Sequence, residues 1–136
     1  MDGWIKETDI PKGHSALPLN KIYIPKAGGS GTDSIILGQP ILGEPYSVCS
    51  YTYLCIGYNQ NLSKKECKNV ISYIKTRFFR YMVSVKKKTQ DASRDVYQFV
   101  PLQDFSEPWT DEKLYTKYNL SEEEIAFIEG MIRPME

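Results

Sequence analysis

The chain has 136 residues, 41% hydrophobic and 25% charged, which fits one soluble globular domain burying roughly two-thirds of its unfolded surface. It contains 17 Lys and Arg against 17 Asp and Glu, so a zero formal net charge describes the whole chain. Three cysteines (Cys49, Cys55, Cys67) without CxxC spacing and a single His14 argue against a zinc site and predict free thiols in a reducing cytoplasm, and no apolar run reaches signal-peptide or membrane-span length.

The zero balance hides two blocks. From Asn61 to Gln90 nine Lys or Arg face one acid, Glu66; from Asp104 to Glu129 eight acids face Lys113 and Lys117. A basic block in a neutral protein points to a local polyanion contact. Ten Tyr and two Trp suit both a core and a wet interface.

In chain order, residues 1–20 carry Gly3, Pro11, Gly13 and Pro18 and form an irregular leading segment. Residues 21–102 form an α+β core and 103–136 a helical tail. Lys21–Pro25 is a short strand running into the flexible Gly-rich loop Lys26–Thr32. Ser34–Leu37 is a further strand candidate, and Gln39–Tyr46, with two prolines and a glycine, is expected to be irregular. Val48–Tyr58 is the best strand candidate, β-branched and aromatic, with apolar residues on both faces as in a central strand. Ser63 and Glu66 form a capping box. After it, Cys67, Val70, Ile71, Ile74, Phe78, Met82 and Val85 make one stripe on a helix of about six turns. Lys64, Lys68, Lys75 and Arg80 fall largely outside the stripe, and Lys86, Lys87 and Lys88 gather at its C-terminal end, where the helix dipole favours them. Val96–Leu102 reads as a short strand edged by Pro101. Two short helices follow, capped by Thr110 and by the Ser121/Glu124 box. The fold class is therefore α+β: a small mixed or antiparallel sheet on one long amphipathic helix, with short C-terminal helices.

The candidate chemistry is thin. AGGSGTD lacks the Gly-Lys-Ser/Thr of a nucleotide-binding loop and the spacing of GxGxxG. As a plain reading it is a loop between strands. Functionally, its glycines would let the backbone approach DNA, aided by Lys21 and Lys26. Glu66-Cys67-Lys68 and Asp111-Glu112-Lys113 resemble fragments of nuclease motifs, yet both sit at helix starts, where acids serve capping and the dipole. No Asn-Pro dipeptide of an adenine-handling loop occurs, and the chain is too short for a doubly wound methyltransferase core. His14 reads as a surface residue. What remains is the basic helix end. It is either a solvated face or a phosphate contact in which Lys86, Lys87, Lys88 and Arg94 supply charge and Gln90 reaches phosphate or base edges.

Several segments also carry a family resemblance. Lys21, Ile24, Lys26, Ala27, Gly29 and Gly31 match a K-x-x-I-x-K-A-x-G-x-G pattern. Thr52, Tyr53, Leu54, Ile56 and Gly57 match T-Y-L-x-I-G. Y-I-K-T-R-F-F-R runs from Tyr73 to Arg80, followed by K-K-x-T-Q, F-V-P-L-Q-D-F and W-T-D-E-x-L-Y-x-K-Y. Over most of the chain, and most strongly from Tyr51 to Met135, it resembles the C-terminal region of bacterial restriction-modification adenine methyltransferases and their fused restriction enzymes. In that family the region follows the methyltransferase core and grips the target sequence.

The resemblance implies a non-catalytic target-recognition fragment of a larger enzyme. Its partners would be double-stranded DNA and the catalytic portion of the parent protein, with no membrane. S-adenosylmethionine, with magnesium as a further candidate, is expected only in the parent, because the methyltransferase motifs are missing here. The expected DNA-binding set is Lys86, Lys87, Lys88, Gln90, Arg94 and Lys26, with Gly28, Gly29, Ser30, Gly31 and Thr32. The alternative is a structural docking domain, in which the helix stripe and C-terminal helices pack onto the catalytic portion and the acidic block meets a basic protein surface.

Overall fold

The computed structural model describes residues 3–26, 36–57, 60–86 and 94–135. Three short strands form an antiparallel sheet in the order β2-β1-β3, with β1 at Lys21–Pro25, β2 at Ile41–Gly43 and β3 at Tyr53–Ile56. Four α-helices follow: α1 (Lys64–Ile74), α2 (Arg77–Lys86), α3 (Asp111–Lys117) and α4 (Glu122–Met131). The α+β class and the antiparallel sheet are as the sequence predicts.

The central strand is β1, not the Val48–Tyr58 segment. Ile22 and Ile24 are fully buried, and Ile22 pairs with Leu42 on one side and Ile56 on the other. Only Tyr53–Ile56 of the longer apolar run becomes a strand. It lies at the sheet edge and is half-buried throughout, so its two-faced apolarity does not mark centrality. The segment expected to be irregular supplies β2. Gly43 there lies under the Tyr23 ring, where a Cβ would stand 2.8 Å from ring carbons. The described part of the Ser34–Leu37 candidate is not strand: Ile36 has φ 73°, and Leu37 is buried in the core.

The predicted six-turn helix is two helices. The Ser63/Glu66 box forms as expected, with Glu66 N–H donating to Ser63 Oγ at 3.1 Å and Ser63 N–H to Glu66 Oε1 at 3.0 Å. The helix then stops at Lys75 and restarts. Thr76 Oγ1 accepts from Phe79 N–H at 3.1 Å, which is an N-cap geometry. Asp111 Oδ2 and Oδ1 accept from Arg77 N–H at 3.1 Å and Phe78 N–H at 2.9 Å. With Thr76 N–H donating to Tyr73 O at 3.1 Å, all four orphan donors at the start of α2 are satisfied. The break also turns the buried face. Cys67, Val70, Tyr73 and Ile74 are buried in α1, but Phe78, Phe79, Arg80 and Val83 in α2, while Val85 of the predicted stripe is exposed.

Val96–Leu102 is not a strand either. Arg94–Tyr97 is a 3-10 turn that packs against α2, with Val96 buried and the Tyr97 and Phe79 ring centroids 6.0 Å apart. The chain then runs on to Pro101, whose carbonyl accepts from Tyr73 Oη at 2.7 Å.

The C-terminal helices are integral to the core. Trp109, Leu114, Tyr115, Ile128 and Ile132 join Ile22, Ile24, Tyr73 and Phe79 in one apolar cluster. Thr110 caps α3, and the Ser121/Glu124 box caps α4, as the sequence predicts. Between them Leu120 N–H donates to Tyr115 O and Asn119 N–H to Thr116 O, with Asn119 at φ 51°; this is a Schellman closure with Asn in the left-handed position. Among the described residues no helix is long and apolar enough to cross a membrane.

Candidate nucleic-acid interface

The basic block divides into cations that hold the fold and cations that face outward. Arg80 is fully buried. Its Nη1 donates to Arg133 O at 2.6 Å, its Nη2 to Lys75 O at 3.1 Å and its Nε to Thr76 O at 3.2 Å. Burial pushes its pKa down to about 10, leaving it charged at neutral pH. The expectation that Arg80 belongs to an outer basic face is thereby overturned: the helix break turns it inward. Arg77 is also engaged, donating from Nε to Ile132 O at 3.0 Å and from Nη1 to Glu129 Oε2 at 3.4 Å. Lys21, expected to assist a phosphate contact, is buried. Its Nζ donates to Leu19 O at 3.0 Å and Leu17 O at 3.3 Å, and desolvation lowers its pKa.

The outward cations include Lys86, at the C-terminus of α2, and Lys26, just past β1. Lys86 is exposed, and its Nζ lies 5.8 Å from the centroid of the half-exposed Phe99 ring. Lys26 is half-buried. Its backbone N–H bonds Thr52 O at 2.8 Å, and its Nζ lies 6.0 Å from the ring of the exposed Tyr51. Each is a cation beside an accessible aromatic face. Arg94 opens the 3-10 turn that packs against α2. Lys86 and Arg94 therefore bracket residues 87–93 from two packed elements. Lys26 belongs to the sheet, where β1 packs on β2, β3 and α1. Lys87, Lys88, Gln90, Gly28, Gly29, Ser30, Gly31 and Thr32 lie outside the described residues.

Sequence reasoning does not single out Phe99 or Tyr51, the rings that the structure sets beside Lys86 and Lys26. The sequence places Phe99 in one expected strand and Tyr51 in another, and their lysine partners are distant in sequence.

A second feature is a cavity of about 800 Å³ between the outer face of β1 and the segments 10–17 and 47–51. Tyr23, Ser47, Cys49 and Cys55 line it, and Tyr23 Oη and Ser47 Oγ are 3.0 Å apart. Burial pushes the Cys55 thiol up to about 11, and local desolvation raises that of Cys49, although Cys49 as a whole is exposed. Both thiols stay protonated at neutral pH, so neither is an activated nucleophile. His14 is exposed, and its Nε2 lies 2.6 Å from Ile10 O. Among the described residues no three His, Cys, Asp or Glu gather as a metal site would require.

Of the acidic block, Asp111 and Glu129 face α2, and Glu107 pairs with Lys113 at 2.6 Å; Glu122 and Glu123 remain exposed. The chain matches no protein-family model, no curated protein and no solved structure.

Proposed function

We propose that this chain is the target-recognition module of a restriction-modification methyltransferase or restriction enzyme, and that it binds double-stranded DNA without catalysing a reaction itself. The observation that carries this reading is the exposed end of α2, where Lys86 lies over Phe99 and leads into Lys87 and Lys88, with Arg94 returning against the same helix. Lysines there would neutralise phosphates and set register, and the polar residues of the following loop would reach base edges. Lys26, beside Tyr51 and ahead of the Gly-rich loop, is a second phosphate contact in this reading. S-adenosylmethionine and magnesium belong to the catalytic portion of the parent, and the setting is the cytoplasm.

Fluorescence anisotropy with labelled duplex DNA at low salt tests it. Saturable binding that weakens steeply with salt is the expected result. No binding at low salt, by this chain or by its fusion to the parent core, would refute it.

The docking reading is favoured by a separate observation, an apolar groove beside exposed carboxylates on the α2–α4 face. Most of the predicted helix stripe is spent inside the domain, packed on the sheet and the C-terminal helices, while Val85 is exposed and Met82 lines the groove. Any docking surface must therefore be one the core leaves uncovered.

A further inference from the structure

α2 and α4 pack together but leave a groove of about 370 Å³ between them. Tyr81, Met82, Leu120 and Phe127 supply its apolar floor and walls, and Glu123 and Glu124 lie along it. Phe127 is 61% exposed, a large apolar surface left open to water. It is not loosely held: the Phe127 and Tyr81 rings meet edge to face, with centroids 6.0 Å apart and planes at 89°. Helical spacing places Glu123 four residues before Phe127, on the same face. Carboxylates in the first turn of α4 favour the helix by themselves. That accounts for their presence in the turn but not for the open aromatic beside them. Glu123 makes no ion pair among the described residues, and no cation lines the groove.

An acid-edged apolar groove repels a phosphate backbone and attracts cations. Two helices forming its walls suit a third helix laid between them, anchored at positions one turn apart. We propose that this groove receives a cationic amphipathic helix of a partner protein, its apolar face on Phe127, Tyr81 and Met82 and its Lys or Arg side chains along Glu123 and Glu124. This deepens the docking reading and is independent of the DNA-binding one.

The test uses the full chain and two fluorescein-labelled helical peptides with one shared Leu face, one carrying Lys on its polar face and the other Glu. The Leu/Lys peptide should bind and the Leu/Glu peptide should not. Phe127→Ala should weaken binding about fivefold or more, as truncation of an interface anchor does. Glu123→Lys should weaken it about two- to fivefold at low salt, the scale of an exposed charge pair. Leu102→Ala, an exposed apolar residue outside the groove, should change nothing. Circular dichroism melts check that each variant is folded. Equal binding of both peptides, or a Leu/Lys affinity unmoved by Phe127→Ala, overturns the proposal. So does a dimer in sedimentation equilibrium that Phe127→Ala abolishes, since the groove would then be filled by a second copy. Duplex DNA titrated against the same variants separates the two readings: loss of peptide binding with intact DNA binding belongs to the groove alone.

Discussion

The carboxylate of Asp111 caps the helix that begins at Arg77, accepting from Phe78 N–H at 2.9 Å across 33 residues of sequence. The first turn of α3 thus fixes the start of α2. Acids of the C-terminal block are joined to the basic block by hydrogen bonds and, through Glu129 and Arg77, by an ion pair. The two charge blocks are partly each other's partners, which limits how much of the basic block is left to meet a polyanion.

Removing that carboxylate should unfasten α2. Asp111→Ala leaves two buried-end N–H groups without acceptors and should cost about 1–2 kcal/mol, the range of a lost N-cap. Urea unfolding followed by circular dichroism measures it. Glu112→Ala, at the next and exposed position, should stay within about 0.5 kcal/mol of the parent. Equal effects at the two positions would show that Asp111 acts only through general charge.

The same contact explains what could be read from the chain and what could not. Ser63 with Glu66, Thr110, and Ser121 with Glu124 are local signals, each complete within four residues, and each forms the cap it predicts. The break at Thr76 has no Gly or Pro to announce it, and one of its caps comes from Asp111, far along the chain. Periodicity alone therefore carried one stripe through the break, placing Val85 inside and Arg80 outside, the reverse of the structure. The β1 assignment was legible because KIYIP is short, β-rich and bounded; which strand is central depends on pairing partners and was not. At the candidate interface, the lysine cluster was visible as sequence, whereas the aromatic faces beside Lys86 and Lys26 arise from tertiary contact.

Arg80 should be irreplaceable by lysine. Its guanidinium spans carbonyls of Lys75 and Thr76 at the helix break and of Arg133 near the C-terminal end of the described chain. An ammonium gathers its three donors on one nitrogen and cannot reproduce the spread of the planar guanidinium fork over these three carbonyls. Arg80→Ala should destabilise by about 3 kcal/mol or more, because buried acceptors lose their donors. Arg80→Lys should recover less than half of that loss. Full rescue by lysine in chemical denaturation would mean that charge, not geometry, is what the site requires.

Tyr97 offers a change in the opposite direction. Its hydroxyl is buried and has no hydrogen-bond partner among the described residues, and burial raises its pKa. The ring itself packs 6.0 Å from Phe79. Tyr97→Phe keeps the ring contact and removes an unsatisfied donor, so it should stabilise by about 1 kcal/mol. Thermal melts of the two proteins decide this. A clear loss of stability would show that the hydroxyl has a partner after all.

The lysine cluster should act through charge number rather than base choice. Phosphate contacts fix position on the duplex and carry no sequence information, so replacing Lys86, Lys87 and Lys88 by Ala should weaken cognate and random duplexes alike. Each lost contact should also flatten the plot of log K against log salt by about 0.9. Replacing Lys113 and Lys117, which stand over Trp109 in the acidic block, should leave that slope where it was. Phe99→Ala separates the two parts of the site. It removes the ring beside Lys86 but no charge, so it should preserve the salt slope that loss of the lysines flattens. Changes at Gln90 or Arg94, or in Gly28–Asp33, should affect cognate duplex more than random duplex if those residues reach base edges. Anisotropy titrations at several salt concentrations read all of these together. A triple-Ala variant with an unchanged slope would assign the cluster to a solvated helix end, where three positive charges do no more than complement the dipole of α2.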